Sequence, residues 1–361
     1  MLVELTQLLE YKKHFDGLRF LLFLPVFFSH ALGGSHFFPL WPNAFTATLA
    51  RSGLAGLFVL SGFLITRILE RSDTGSLSND LPLFYLRRTL RIFPIYYATL
   101  LVLLLAGVLK DPVWYFSYLY NWRVFTDGYG TGFGQFWSLS VEEQFYLLFP
   151  LIFLCTRREW RLRLILALLA FSNVCAFLFG SLAPGKDYFI LLPVCGQYIF
   201  WGCLAGYVDL AAPRHLSFKA ALWLGFIFWA GLSVLELSNP QGLRLTLMPL
   251  KGLCIAAFII ALWRTTNTVL IRVLSQPILA YFGKTSYAMY LFHVPILLLL
   301  GPLLGSDHRI LKCLAITIGL AALSWQFFES PINKYRNRFH CKPRREPAKA
   351  LVSSKQEVGV T

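Results

Sequence analysis

Apolar residues occupy this chain in runs about twenty long, each closed by charges, Pro or Gly. They do not recur on one face, as they would in an amphipathic helix, nor alternate with polar residues, as in a half-buried strand. A helix crossing the hydrocarbon core of a bilayer needs about 20 mostly apolar residues. Ten segments meet that need, over 17–34, 52–69, 92–109, 136–155, 164–182, 188–208, 220–236, 245–263, 286–304 and 311–328. Pro39, Pro42, Pro112, Pro184, Gly185, Pro213, Pro240 and Pro302 stand at or beside their ends, which suits turns between hydrophobic helices. The pattern predicts an all-α polytopic membrane bundle of about ten transmembrane helices over 1–340. After it, 341–361 carries Lys342, Arg344, Arg345, Lys349, Ser353 and Ser354 without apolar periodicity and reads as a disordered basic tail.

Composition sharpens the reading. Of 361 residues 57% are hydrophobic and 14% charged, against roughly 25% charged in a soluble protein, and mean hydropathy is +0.59. An ordinary cytosolic enzyme is excluded. The net charge of +15 does not point to nucleic acid, because the positive charges punctuate long neutral runs instead of gathering on one face. Counted on alternate sides of the ten segments, 25 of the 33 basic residues fall on the side that holds both termini, which the positive-inside rule makes cytoplasmic. The seven cysteines lie mostly in apolar runs, with no C-x-x-C pair, so neither a disulfide nor a metal is assigned. Lys12, Lys13 and Arg19 precede an apolar stretch without an A-x-A-like exit, so a cleavable signal is not expected.

Several residues stand where hydrocarbon does not tolerate them without a reason. His30 lies within a stretch from Phe20 to Ala50 that has no Asp, Glu, Lys or Arg. Arg19, eleven residues earlier, points the same way on a helix, about 16 Å along the axis. Glu142 and Glu143 enter the fourth span within Trp137-Ser138-Leu139-Ser140-Val141-Glu142-Glu143-Gln144-Phe145-Tyr146, and about 100° separates adjacent residues, so only one can face a given pocket squarely. A carboxylate facing a histidine would hold its tautomer and raise its basicity, as proton removal from a hydroxyl requires. Arg87, Arg88 and Arg91 precede the third span at spacings that make a fork for phosphate; the plainer reading is a topology signal. His293 lies in Ser286-Tyr287-Ala288-Met289-Tyr290-Leu291-Phe292-His293-Val294-Pro295, as a packing residue or a pocket residue. Ser61-Gly62 is a small-residue notch suited to helix packing or to a substrate passage. Glu329 suits pairing with an arginine. The 110–135 connection is rich in Trp, Tyr and Gly, which suits an interfacial belt or stacking on a sugar ring.

Taken in order, these segments resemble the membrane acyltransferase 3 family. The resemblance rests on Phe15-Asp16-Gly17-Leu18-Arg19 followed by His30, the Phe58–Ile65 run around Ser61, the R-x-x-R of Arg88 and Arg91, the W-S-L-S-V-E-E-Q-F-Y run, the S-Y-x-x-Y-L-x-H-x-P run and the F-E-x-P ending at Pro331, and it covers about 15–338. It implies a multi-pass protein of a bacterial inner membrane that moves an acyl group, acetyl in the first instance, from cytoplasmic acyl-CoA to a hydroxyl of an envelope or exported glycan or its lipid-linked precursor. By that resemblance His30 is the catalytic histidine, with Glu142 as the acidic member of the site. Arg87, Arg88 and Arg91 serve the donor, and Arg19, Ser61, Glu143, Tyr290 and His293 line the pocket. Acyl-CoA enters as a cosubstrate, no cofactor is bound, and polysaccharide-assembly proteins are conceivable partners. The fused hydrolase-like domain of some relatives has no room in this sequence. The competing readings are a transporter for a sugar or anion, and an acyltransferase acting on a small molecule such as a macrolide or glycolipid.

Overall fold

The structure is a computed structural model that describes residues 11–33, 43–129, 132–183, 185–211, 219–238, 244–266 and 268–339. Among them there is no strand. Ten long helices carry the fold: α1 (Lys13–Gly33), α2 (Asn43–Ser72), α3 (Leu77–Leu105), α4 (Phe136–Cys155), α5 (Arg161–Leu182), α6 (Leu192–Ala211), α7 (Lys219–Ser238), α8 (Arg244–Arg264), α9 (Pro277–Pro295) and α10 (Arg309–Ser324). Each contains one of the ten predicted segments or most of it. Nine of the described helices are long and apolar enough to cross a membrane. The remaining one, α6, lies mostly inside the bundle, with Val194, Ile199 and Cys203 fully buried. Of the positions named above, Pro39, Pro42, Pro184, Pro213, Pro240 and the 341–361 tail lie outside the described residues.

Two helices depart from the hydropathy pattern. α3 starts at Leu77 and α9 at Pro277, well before the predicted 92 and 286: the first section of α3 carries Asp80, Arg87, Arg88 and Arg91, and that of α9 is apolar up to Gly283 and Lys284, which interrupt its run. That early section of α3 places Arg87, Arg88 and Arg91 on a helix. π-turns over Ile296–Leu300 and Trp325–Glu329 prolong α9 and α10, and Ser330–Arg336 continues the latter.

Close approach is bought with small residues, since lipid gives helices no hydrophobic reason to associate. α2 and α6 meet at Gly62 and Gly202: a Cβ there would stand 1.9 Å from the Ile199 carbonyl oxygen and 2.0 Å from that of Val59. A Cβ on Gly283 of α9 would lie 1.8 Å from the Asp16 carbonyl oxygen of α1. Buried charges tie other helices. Lys251 of α8, 1% exposed, donates to Glu236 of α7 at 2.7 Å, and Arg51 of α2 reaches the same carboxylate at 2.7 Å. Arg161 of α5 bridges Glu70 and Asp73 just beyond α2, each at 2.8 Å.

Three tyrosines of the 110–135 connection belong neither to a lipid belt nor to an open stacking platform, which corrects both sequence readings for them, whereas Trp122 and Tyr129 are exposed. Tyr115, Tyr118 and Tyr120 are buried. Tyr118 stacks on Tyr96 of α3 at 4.3 Å and Tyr115 on Tyr120 at 4.1 Å. Burial pushes all three hydroxyls above the ordinary tyrosine range, so they stay neutral. They cap the end of the bundle remote from the arginines.

Candidate functional site

A cavity of about 640 Å³ opens at one end of the bundle, between α1, α2, α3, α4, α9 and the Ser330–Arg336 helix. Tyr11 and Lys12 line its mouth together with Arg336 and Asn337, so both described ends of the chain meet there. Cations from six chain segments face it, among them Lys12, Arg19, Arg67, Arg88, Arg91, Lys284 and Arg336. Most are already engaged. Arg19 donates to Asp16 at 2.8 Å, Asp16 also accepts from the Tyr11 hydroxyl at 2.5 Å, and Arg67 pairs with Asp209.

The R-x-x-R pair differs. Arg88 lays its guanidinium 3.7 Å from the centre of the Tyr146 ring, and its Nε is buried without a hydrogen-bond partner. Arg91 is exposed to the cavity and makes no hydrogen bond or ion pair among the described residues. Arg87 does not join them. It is absent from the cavity wall and donates to the Phe339 carbonyl, fastening the end of the last helix instead.

Further in, one face of α4 carries Ser138, Glu142 and Tyr146 at spacings of four. Ser61 donates to Glu142 at 2.8 Å and accepts from the Tyr146 hydroxyl at 3.2 Å. At the 61–62 notch, Gly62 packs against α6 and Ser61 lines the cavity. Glu143, about 100° round the helix, is absent from that wall and makes no hydrogen bond or ion pair among the described residues. At the inner end the Tyr290 hydroxyl and Ser138 Oγ are hydrogen-bonded at 2.5 Å, beside Phe23.

His30 stands beyond that end, in the last turn of α1. The helix rises about 16 Å between Arg19 and His30. The imidazole is exposed and does not line the cavity. Its Nδ1 lies 2.9 Å from Nε2 of His293, which is fully buried, and His293 Nδ1 lies 2.7 Å from the Tyr290 carbonyl oxygen. The partner of His30 is therefore His293. Glu142 is bonded to Ser61 and does not fill the orienting position assigned to it from the sequence.

Sequence reasoning passed over Ser138 and Tyr146, although both belong to the face of Glu142 and the helical spacing was there to read. It also passed over Arg336, seen only as part of a charge count. Glu329, 8% exposed, reaches the cavity from the π-turn and accepts from Ser324 at 3.0 Å. No linear spacing signals a π-turn.

Residues 13–328 match the family described as an acyltransferase domain, the acyltransferase 3 family. The peptidoglycan O-acetyltransferase OatA of Listeria monocytogenes is 28% identical over 331 residues, covering 79% of this chain and 52% of that protein. The O-acetyltransferase OatA of Staphylococcus aureus is 27% identical over 317 residues, covering 78% and 52%. This chain thus spans about half the length of these relatives. No solved structure is a significant match. The comparisons and the fold lead to one statement: the chain belongs to the acyltransferase 3 family and is a multi-pass integral membrane protein.

Proposed function

We propose that this acyltransferase-family protein is an O-acyltransferase that takes an acyl group, acetyl in the first instance, from acyl-CoA on the cytoplasmic side and places it on a hydroxyl of a cell-envelope glycan, with peptidoglycan or its lipid-linked precursor as the leading acceptor. The observation that carries the reading is the cavity, which runs from the guanidiniums of Arg88 and Arg91 to the Ser138–Tyr290 bond beside the histidine pair. The basic excess at the end where it opens makes that end cytoplasmic, in the plasma membrane of a bacterium. Two named relatives are O-acetyltransferases, one of them of peptidoglycan.

In this reading the donor's phosphates sit on Arg88 and Arg91, which have no ion-pair partner among the described residues and so keep hydrogen-bond donors for a ligand. The pantetheine arm threads past Ser61, Glu142 and Tyr146 and delivers the thioester to the Ser138–Tyr290 end. The acceptor hydroxyl approaches His30 from the opposite end. His30 takes the hydroxyl proton as the oxygen attacks the thioester carbon; the C–O bond forms, the C–S bond breaks, and the departing thiolate takes the proton back as CoA thiol. The Ser138–Tyr290 pair must part for the two substrates to meet, which makes it a gate. Glu142, tied to Ser61, shapes the arm's path, and Arg19 holds the mouth through Asp16.

The test uses protein purified in detergent with labelled acetyl-CoA and soluble peptidoglycan fragments. Ester formation by the parent protein, reduced by about 10²- to 10⁴-fold in His30→Ala with donor binding retained, is the expected result. Undiminished transfer by His30→Ala removes the base from the mechanism, and acceptor uptake without donor turnover, once the same protein is reconstituted in vesicles, replaces the enzyme with a transporter.

A further inference from the structure

His293 is wholly buried, its Nε2 facing His30 and its Nδ1 the backbone carbonyl of Tyr290. The Tyr290 carbonyl can only accept, so the proton at 2.7 Å belongs to His293 Nδ1. The neutral ring then offers Nε2 as an acceptor, and the 2.9 Å contact requires His30 to donate from Nδ1. That leaves the lone pair of His30 on Nε2, the nitrogen away from the dyad. Rings pack the inner imidazole in place: Phe23 meets it edge-on at 5.5 Å, and Tyr290 tilts against it at 5.3 Å. The local backbone is built for this. Pro295 has no N–H for the Leu291 carbonyl, and the Gln135 side chain donates there instead at 3.4 Å.

We propose that His293 is the positioning residue of the transfer reaction, holding His30 in the tautomer whose Nε2 is the free base and bearing the hydrogen bond that strengthens when His30 becomes an imidazolium. The inference rests on His30 being the base. His293 does for His30 what a buried carboxylate does for the histidine of a hydrolytic triad, with a neutral acceptor in place of a charged one. The sequence suggested a carboxylate for this position, but Glu142 is engaged elsewhere. A neutral partner fits a site where a second charge beside the imidazole would be costly to bury.

The experiment compares His293→Leu, His293→Gln and His30→Ala in the purified full chain, each first shown to be monodisperse and to bind CoA. Leu removes the acceptor, whereas Gln returns an oxygen near the position of Nε2. Expected are a loss of about 10²-fold in kcat for His293→Leu with KM for acetyl-CoA unchanged, and recovery of most of that loss in His293→Gln. A structural role would move the two variants together. Gln no better than Leu, or Leu as active as the parent, overturns the proposal. Should the variants fail to fold, ¹⁵N shifts of histidine-labelled parent protein decide it: His30 must show a protonated Nδ1 and an unprotonated Nε2, and the reverse pattern overturns the assignment. An active His30→Ala protein sinks the base itself, an outcome distinct from failure of His293 alone.

Discussion

Arg88 and Arg91 face the cavity without an ion-pair partner among the described residues, whereas Arg19 and Arg67 are held by Asp16 and Asp209, and on the proposed function the first two are the anion-binding pair. Charge-assisted hydrogen bonds are worth about 1.5–3 kcal/mol each, so Arg91→Ala is expected to weaken CoA binding by roughly 10- to 100-fold, measured by calorimetry in detergent. Arg87→Ala is expected to leave that affinity unchanged, since its guanidinium serves the Phe339 carbonyl. Asp73, at the same end of the bundle, yields a pH prediction. Its own burial raises the carboxyl pKa, but the Gly75 N–H and the guanidiniums of Arg161 and Arg158 outweigh this and hold it below the usual range. A carboxylate with a depressed folded pKa stabilises the fold above its unfolded value near 3.9, and that stability is lost as pH falls through the folded value. The thermal midpoint in detergent should therefore drop as pH is lowered from about 5 toward 3. Asp73→Asn should flatten that part of the profile.

Between helices, the same physics decides which substitutions the bundle survives. Gly62→Leu would drive side-chain carbon into the Ile199 carbonyl and pry α2 from α6, so loss of monodisperse protein is the expected outcome. Glu236→Gln would take from the fully buried Lys251 ammonium, and from Arg51, the carboxylate that they share. A cost of about 3–5 kcal/mol follows, read as a lowered unfolding midpoint. This level also separates what the chain displays from what it conceals. All ten helices were legible, because crossing hydrocarbon leaves a run of apolar residues that needs no tertiary context. The true starts of α3 and α9 were not: the charges early in α3, and Gly283 with Lys284 in α9, interrupt an apolar run without ending a helix. The site was legible as a set of residues and not as a set of pairs. His30, His293 and the R-x-x-R arginines stand out as polar groups in apolar surroundings, but that His30 meets His293 263 positions away, and not Glu142, depends on how α1 crosses α9. The glycine at 283 that permits the crossing carries no sign of its partner.

At the scale of the whole molecule, the cavity and His30 lie on opposite sides of the Ser138–Tyr290 pair. The cavity has Lys12 and Arg336 in its wall at the mouth and ends at Ser138–Tyr290, while the exposed His30 stands one turn from the far end of α1. In the proposed reaction this arrangement would let a hydrophilic donor and a hydrophilic acceptor react without either crossing the bilayer, and it would make activity vectorial. Proteoliposomes with one protein orientation test this directly. With acetyl-CoA sealed on the side of the basic cavity mouth and an impermeant glycan acceptor on the other, ester should accumulate on the acceptor and free CoA should remain with the donor. Reversing the compartments should reduce turnover to background, because neither the phosphates nor the sugar could reach its own end. Turnover that ignores the placement of the substrates would mean that both enter by one door, and the partition at Ser138–Tyr290 would then be packing and not a gate. Replacing Tyr290 by Phe separates the two cases further: it removes the 2.5 Å bond while keeping the ring. A gate held by that bond should open more readily, seen as faster hydrolysis of acetyl-CoA when no acceptor is present, whereas simple packing would leave the hydrolysis rate unchanged.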